Sequence, residues 1–117
     1  MKKDLVLRFI TLPMAITVFK QDKKHFKVSK VNVLFYDLID SVLAKMEQDF
    51  RQMKADMYKK HHLDVRYLGE GNGLVNYRVN QKMISFTPAE LKEQTEKLMK
   101  EYMVNVEVVR KNRIWDD

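Results

Sequence analysis

The chain has 117 residues, 45% of them hydrophobic and 32% charged, the composition of a single soluble globular domain rather than a disordered or fibrous chain. It contains no cysteine, which excludes a disulfide framework, a thiolate nucleophile and Cys-ligated zinc, and fits a reducing, cytoplasmic compartment. The net charge of +6 and a pI near 9.5 point to an anionic partner, nucleic acid or a membrane surface.

Met1-Lys2-Lys3 followed by apolar residues has the outline of a signal peptide. Arg8 interrupts the apolar run, however, and no small-x-small cleavage site follows. The uncharged stretch over 9–19 holds 11 residues, against about 20 for a membrane span. Neither export nor a membrane span is expected.

Residues 4–26 fit two patterns. As strands, 5–12 and 14–19 are apolar on both faces, which suits only a fully buried sheet. As helix, Leu5, Phe9, Leu12, Ile16 and Phe19 step by four, three, four and three along one stripe, and Phe26 continues it one heptad later. Pro13 kinks a helix interior but suits the first position of a new helix, so two helical segments are favoured, about 4–11 and 13–25.

A long amphipathic helix is expected over about 32–61. Phe35, Ile39, Val42, Met46, Phe50, Met53 and Met57 repeat at spacings of four, three, four, four, three and four, two eleven-residue periods. That period keeps a stripe straight along a natural helix. Asn32 or Ser29 supplies a cap, and Lys59, Lys60, His61 and His62 suit the negative end of the dipole. Glu47–Arg51 and Asp56–Lys60 stand at i,i+4 in the favourable order. Leu34, Tyr36, Leu38 and Leu43 make the first half apolar nearly all round, so it belongs in the core. The second half keeps only its stripe, which needs the surface or a partner.

After Leu63 the period changes to two. Val65 and Tyr67, then Val75, Tyr77 and Val79, alternate with polar residues around a loop at 69–73 that holds all three glycines, a hairpin of about 65–79. Met83-Ile84-Ser85-Phe86 reads as a short strand. Thr87-Pro88-Ala89-Glu90 is a capping box with Pro at the first helical position, opening a helix with Leu91, Thr95, Leu98 and Tyr102 on one face. Val104, Val106 and Val108 alternate as a last strand, and a polar, disordered tail follows over 110–117. With no internal repeat or linker, residues 1–117 form a single domain of mainly helical α+β class.

Leu12-Pro13-Met14, then Val18-Phe19, Asp22, Phe26-Lys27, and Tyr36 with Leu38-Ile39 resemble a group of small uncharacterised proteins of Gram-positive bacteria. In that group a Leu-Pro-Met segment precedes a long helix, a basic helix end and a short C-terminal helix. The resemblance covers most of 9–103 and implies a mainly helical N-terminus, without implying a function. The loop at 69–73 and the chain from Val104 onward depart from it.

Five lysines in eleven residues (Lys20, Lys23, Lys24, Lys27 and Lys30, against Asp22) and a second cluster of Arg110, Lys111 and Arg113 beside Trp115 carry the nucleic-acid reading. Lysines neutralise phosphates, and an indole can stack on a base. A solvated loop and a frayed tail explain the same residues at least as well. Met46, Phe50, Met53 and Met57 form an adaptable face for a protein partner or homo-oligomer, with core packing the simpler explanation.

Asp37 and Asp40, one turn apart, have the spacing of an acid–base or metal pair but lack a third ligand, and acids early in a helix simply offset its dipole. His61 and His62 with Asp64 are placed poorly for a metal, because adjacent helical residues diverge by about 100°. His25 stands alone. The glycines at 69–73 lead into a strand pattern, not the helix a phosphate loop requires. No metal, cofactor or catalytic residue is therefore expected. The chain reads as a small non-enzymatic binding or regulatory protein touching nucleic acid, with an assembly subunit that self-associates through the methionine stripe as the alternative.

Overall fold

A computed structural model describes residues 3–24 and 33–106. In chain order these form α1 (Lys3–Lys24), α2 (Val33–Lys59), β1 (Val65–Gly71), β2 (Leu74–Val79), β3 (Lys82–Phe86) and α3 (Pro88–Asn105). The strands make one antiparallel sheet of order β1-β2-β3. The mainly helical α+β class expected from the sequence is what the chain adopts.

α1 is the central element. It packs against both α2 and α3, which touch each other only lightly. Leu12, Ala15, Ile16 and Phe19 join Ile39, Val42, Leu43 and Met46 of α2 and Leu98 and Tyr102 of α3 in one core cluster. Val6 and Ile10 join Val75, Tyr77, Val79, Phe86 and Leu91 in a second, under the sheet. This two-sided burial explains why 4–26 is apolar in every direction: a helix covered on two faces loses its amphipathic signature.

α1 is continuous through Pro13, where two segments were expected. Proline denies the Phe9 carbonyl its helical donor, at a cost of about 3 kcal/mol. Burying Leu12, Ile16 and Phe19 on the far side returns roughly 1.5–3 kcal/mol per side chain, so unbroken packing wins. Thr11 Oγ1 donates to the Leu7 carbonyl (2.8 Å) and Thr17 Oγ1 to that of Pro13 (3.0 Å), back-bonding that satisfies both hydroxyls within the helix.

α2 runs as its periodicity predicts. Ile39, Val42, Met46 and Met57 are buried, with Phe35, Phe50 and Met53 half-buried. The stripe is covered by the chain itself: Phe50 meets Phe9 of α1 with ring centroids 5.5 Å apart. Of the two expected intrahelical pairs, Asp56–Lys60 forms at 3.7 Å, whereas Glu47 reaches Lys20 of α1 instead of Arg51.

The hairpin turn is tighter than the glycine-rich stretch suggested. β1 continues through Gly69 and Gly71, and only Asn72 and Gly73 turn, both at positive φ (54° and 74°), as a two-residue type I′ connection demands. Gly69, at φ 113°, follows a bulge at Leu68. The capping box opens α3 as expected, with the Glu90 amide donating to Thr87 Oγ1 at 3.0 Å. Leu91, Thr95, Leu98 and Tyr102 are its buried face. Val104 is not in a strand but in the last turn of α3, which ends where the Val106 amide donates to the Tyr102 carbonyl at 3.0 Å. The anchored Tyr102 keeps this stretch helical. Residue 108 and the tail over 110–117 lie outside the described residues.

Candidate nucleic-acid interface

Of the first lysine cluster, Lys20, Lys23 and Lys24 are described. Lys20 pairs with Glu47 at 3.1 Å, Lys23 pairs with Asp40, and Tyr36 Oη donates to the Lys23 carbonyl at 3.3 Å. These contacts brace the C-terminal half of α1 against α2 and occupy two of the three lysines. Lys24 is exposed at the helix end. Lys27, Lys30, Arg110, Lys111, Arg113 and Trp115 lie outside the described residues. The methionine stripe is spent on the fold: Met46 is fully buried and Met57 nearly so, leaving neither open to a partner in this conformation. Asp37 is fully buried and Asp40 engaged by Lys23, so the two carboxylates do not share an open cleft. Among the described residues no group of three His, Asp or Glu side chains is placed to hold a metal ion.

A different concentration of positive charge emerges from the topology. α2 ends in a widened turn, in which the His61 amide donates to the Asp56 carbonyl (3.0 Å) and the Leu63 amide to that of Met57 (2.9 Å). His62 takes a left-handed φ of 52° and reverses the chain into β1. Asn80, in the β2–β3 turn, clamps this reversal: its Nδ2 donates to the His62 carbonyl (3.1 Å), and its Oδ1 accepts from the Asp64 amide (2.9 Å). The end of α2 is thereby fixed beside the start of β1 and the β2–β3 turn.

Strand register then adds three cations. Arg66 stands directly opposite Arg78 on the outer face of the sheet, while Lys82, opposite buried Val79, reaches the same end from the other face. With Lys59 and Lys60 this end carries five cations against two carboxylates, Asp56 and Asp64. Both carboxylates are already engaged, Asp56 by Lys60 (3.7 Å) and Asp64 by Arg66 (2.9 Å). Arg78 is exposed and has no acidic partner within 4.0 Å among the described residues. Like charges directly opposite in a sheet destabilise it; Asp64 offsets this for Arg66, whereas Arg78 carries its charge there without such a partner among the described residues. Exposed cations gathered at one end of a fold neutralise phosphates.

Elsewhere the surface offers binding space without chemistry. An open cavity of about 770 Å³ lies between Met14 and Val18 of α1, Tyr67 and Val75 of the sheet, and Leu91 and Met99 of α3. A second, of about 400 Å³, shares Met14, Tyr67 and Tyr77 with it and continues past Pro13 to Phe50. Together they form an apolar groove along the uncovered face of α1. Where the three helices meet, Tyr102 Oη donates to Asp49, which also pairs with Lys45 at 3.1 Å; Arg8 lies over the Tyr102 ring and bonds Glu101 at 3.4 Å. Burial, reinforced by the bond to Asp49, pushes the Tyr102 phenol up to about 12. This is a structural lock, since a phenol held protonated is neither base nor nucleophile near neutrality.

A model of the family described as YhjD protein matches residues 1–107. The chain belongs to this family. No curated protein and no solved structure matches it. The family description names no activity, so function has to be argued from the surface. No helix among the described residues is long and apolar enough to cross a membrane.

Lys59, Lys60, His61 and His62 are legible in the sequence as a helix end, but Arg66, Arg78 and Lys82 are not legible as their neighbours. These three are scattered over 17 positions and reach one end of the sheet only through strand pairing. One signal was available. A hairpin centred on Asn72-Gly73 with a one-residue bulge puts Arg66 opposite Arg78, so the turn chemistry could have exposed the pair.

Proposed function

We propose that this protein is a small non-enzymatic, regulatory nucleic-acid-binding protein, whose described contact surface is the basic end formed by α2, the start of β1 and the β2–β3 turn. The observation that carries the reading is the Arg66–Arg78 pair on the open face of the sheet, two like charges placed opposite each other with Lys59, Lys60 and Lys82 nearby. The excess of basic residues over the whole chain supports it. Lys24, Lys27, Lys30 and the Arg110, Lys111, Arg113 and Trp115 cluster remain candidates for additional contacts, while Lys20 and Lys23 have structural partners. A cytoplasmic site of action and kinship with the Gram-positive group belong to the same proposal. Self-association through Met46, Phe50, Met53 and Met57 has less support, because those side chains cover the chain's own core.

Fluorescence anisotropy with labelled single-stranded and duplex oligonucleotides across a salt series tests the reading. Affinity should fall steeply with salt, and the Arg66→Glu/Arg78→Glu variant should reduce the log–log slope by at least about 1.4, two phosphate contacts at about 0.7 each on a single strand. Absence of binding at low salt, or a slope unchanged in the double variant, would overturn it.

A further inference from the structure

The basic end also carries an aromatic ring that the fold does not use. Tyr58 is 79% exposed, in the last turn of α2. An aromatic side chain offers 150–250 Å² for burial, and this one leaves nearly all of it in water. The remainder of that helix face is what a solvated face should be. Arg51 and Lys54 lie seven and four residues before Tyr58, on the same side and both exposed. Lys59 follows it directly. Lys54 Nζ sits 4.7 Å from the ring centroid of Phe50, one turn back along α2, so of the neighbouring cations Lys59 stands nearer the helix end.

The helix end that carries the ring is fixed. Met57, the residue before it, is buried and accepts the Leu63 amide, so the last turn of α2 cannot unwind without breaking that bond. Tyr58 therefore projects from a braced helix end, with cations before and after it. On the sheet, exposed Met83 lies opposite Arg78, a second apolar surface beside a cation.

Resting on the nucleic-acid reading above, we infer that the partner is a single strand, held by phosphate contacts to the basic end and by a base stacked on the Tyr58 ring. Duplex bases are already stacked on one another and present only their edges in the grooves. A ring projecting from a helix end has a face for a base only where that base is unstacked, and such stacking tolerates any sequence. The cations confer affinity for any nucleic acid, whereas the tyrosine selects its form.

The test measures labelled oligo-dT and a mixed-sequence duplex of equal length against the wild-type protein, Tyr58→Ala and Tyr58→Phe. Circular dichroism first confirms that the variants keep their helix content, as a substitution at so exposed a site should. The expected result is single-strand binding tighter than duplex binding, weakened about tenfold in Tyr58→Ala. Tyr58→Phe should restore it, and neither substitution should change the salt slope. Duplex preference, or a Tyr58→Ala variant that binds oligo-dT like wild type, would overturn the inference while leaving the basic-end reading intact. If neither nucleic acid binds at low salt, the basic-end reading fails and this inference with it.

Discussion

Replacing Tyr102 by Phe removes one hydroxyl from the junction of the three helices and changes little else, because the ring stays packed. At neutral pH the variant loses the hydrogen bond to Asp49. Bonds to charged groups contribute about 1.5–3 kcal/mol. The Asp49 side chain is 33% exposed and keeps its pairing with Lys45, which brings the loss down to the bottom of that range, about 1.5 kcal/mol. The pH dependence is the sharper part. The folded-state phenol is raised to about 12 from an ordinary 10. A raised value means that the stabilisation is complete below pH 10 and is lost as pH climbs through 12. Over that window wild type should lose about 2 kcal/mol that the Phe variant, having no phenol there, keeps. The Lys, Arg and other Tyr groups are common to both proteins and cancel in the difference. Urea unfolding of both proteins from pH 7 upward should therefore show wild type more stable at first, with the order inverting near pH 11. A difference that stays constant through pH 12, or equal stability at pH 7, would refute the Tyr102–Asp49 lock.

Three further outcomes follow from the packing. Pro13→Ala restores an amide to the Phe9 carbonyl inside α1 and should raise stability by about 1–2 kcal/mol in urea melts; destabilisation would refute the cost assigned to Pro13. Leu98→Ala empties a fully buried site where α3 meets α1 and should cost about 2–5 kcal/mol by the same assay. Gly73→Ala meets no atom within 4 Å but must hold a φ of 74°, so it should lose about 1 kcal/mol from strain alone while leaving the helical circular dichroism unchanged.

What the sequence disclosed depended on how local each cause was. α2 and α3 were legible because a single stripe at helical spacing is a local pattern, and the box from Thr87 to Glu90 is four consecutive residues. α1 was only half legible. Its stripe through Leu12, Ile16 and Phe19 is visible, but Val6 and Ile10 face a sheet formed some 60 residues later, and it is burial on both sides that carries the helix through Pro13. The hairpin was recognised, but its turn was drawn too wide because glycine was read as loop, whereas Gly69 and Gly71 lie within a bulged strand. Val104 to Val108 mimicked a strand because alternation carries no information about whether an edge is available to pair with. The candidate site was the least legible part. Lysines close together in sequence drew attention, yet Lys20 and Lys23 are bound by acids of α2. Arg66 and Arg78 are brought face to face by register rather than by sequence proximity, and Lys82 joins that end of the sheet from its other face.

Whether nucleic acid meets this protein at the basic end is read out residue by residue in amide chemical-shift mapping. Titrating oligo-dT into isotope-labelled protein should move the resonances of 58–66 and 78–83 in a salt-sensitive way, and leave those of Met14, Val18, Leu91 and Met99 in the apolar groove unmoved. Shifts centred on the groove, or no shifts at low salt, would contradict the account.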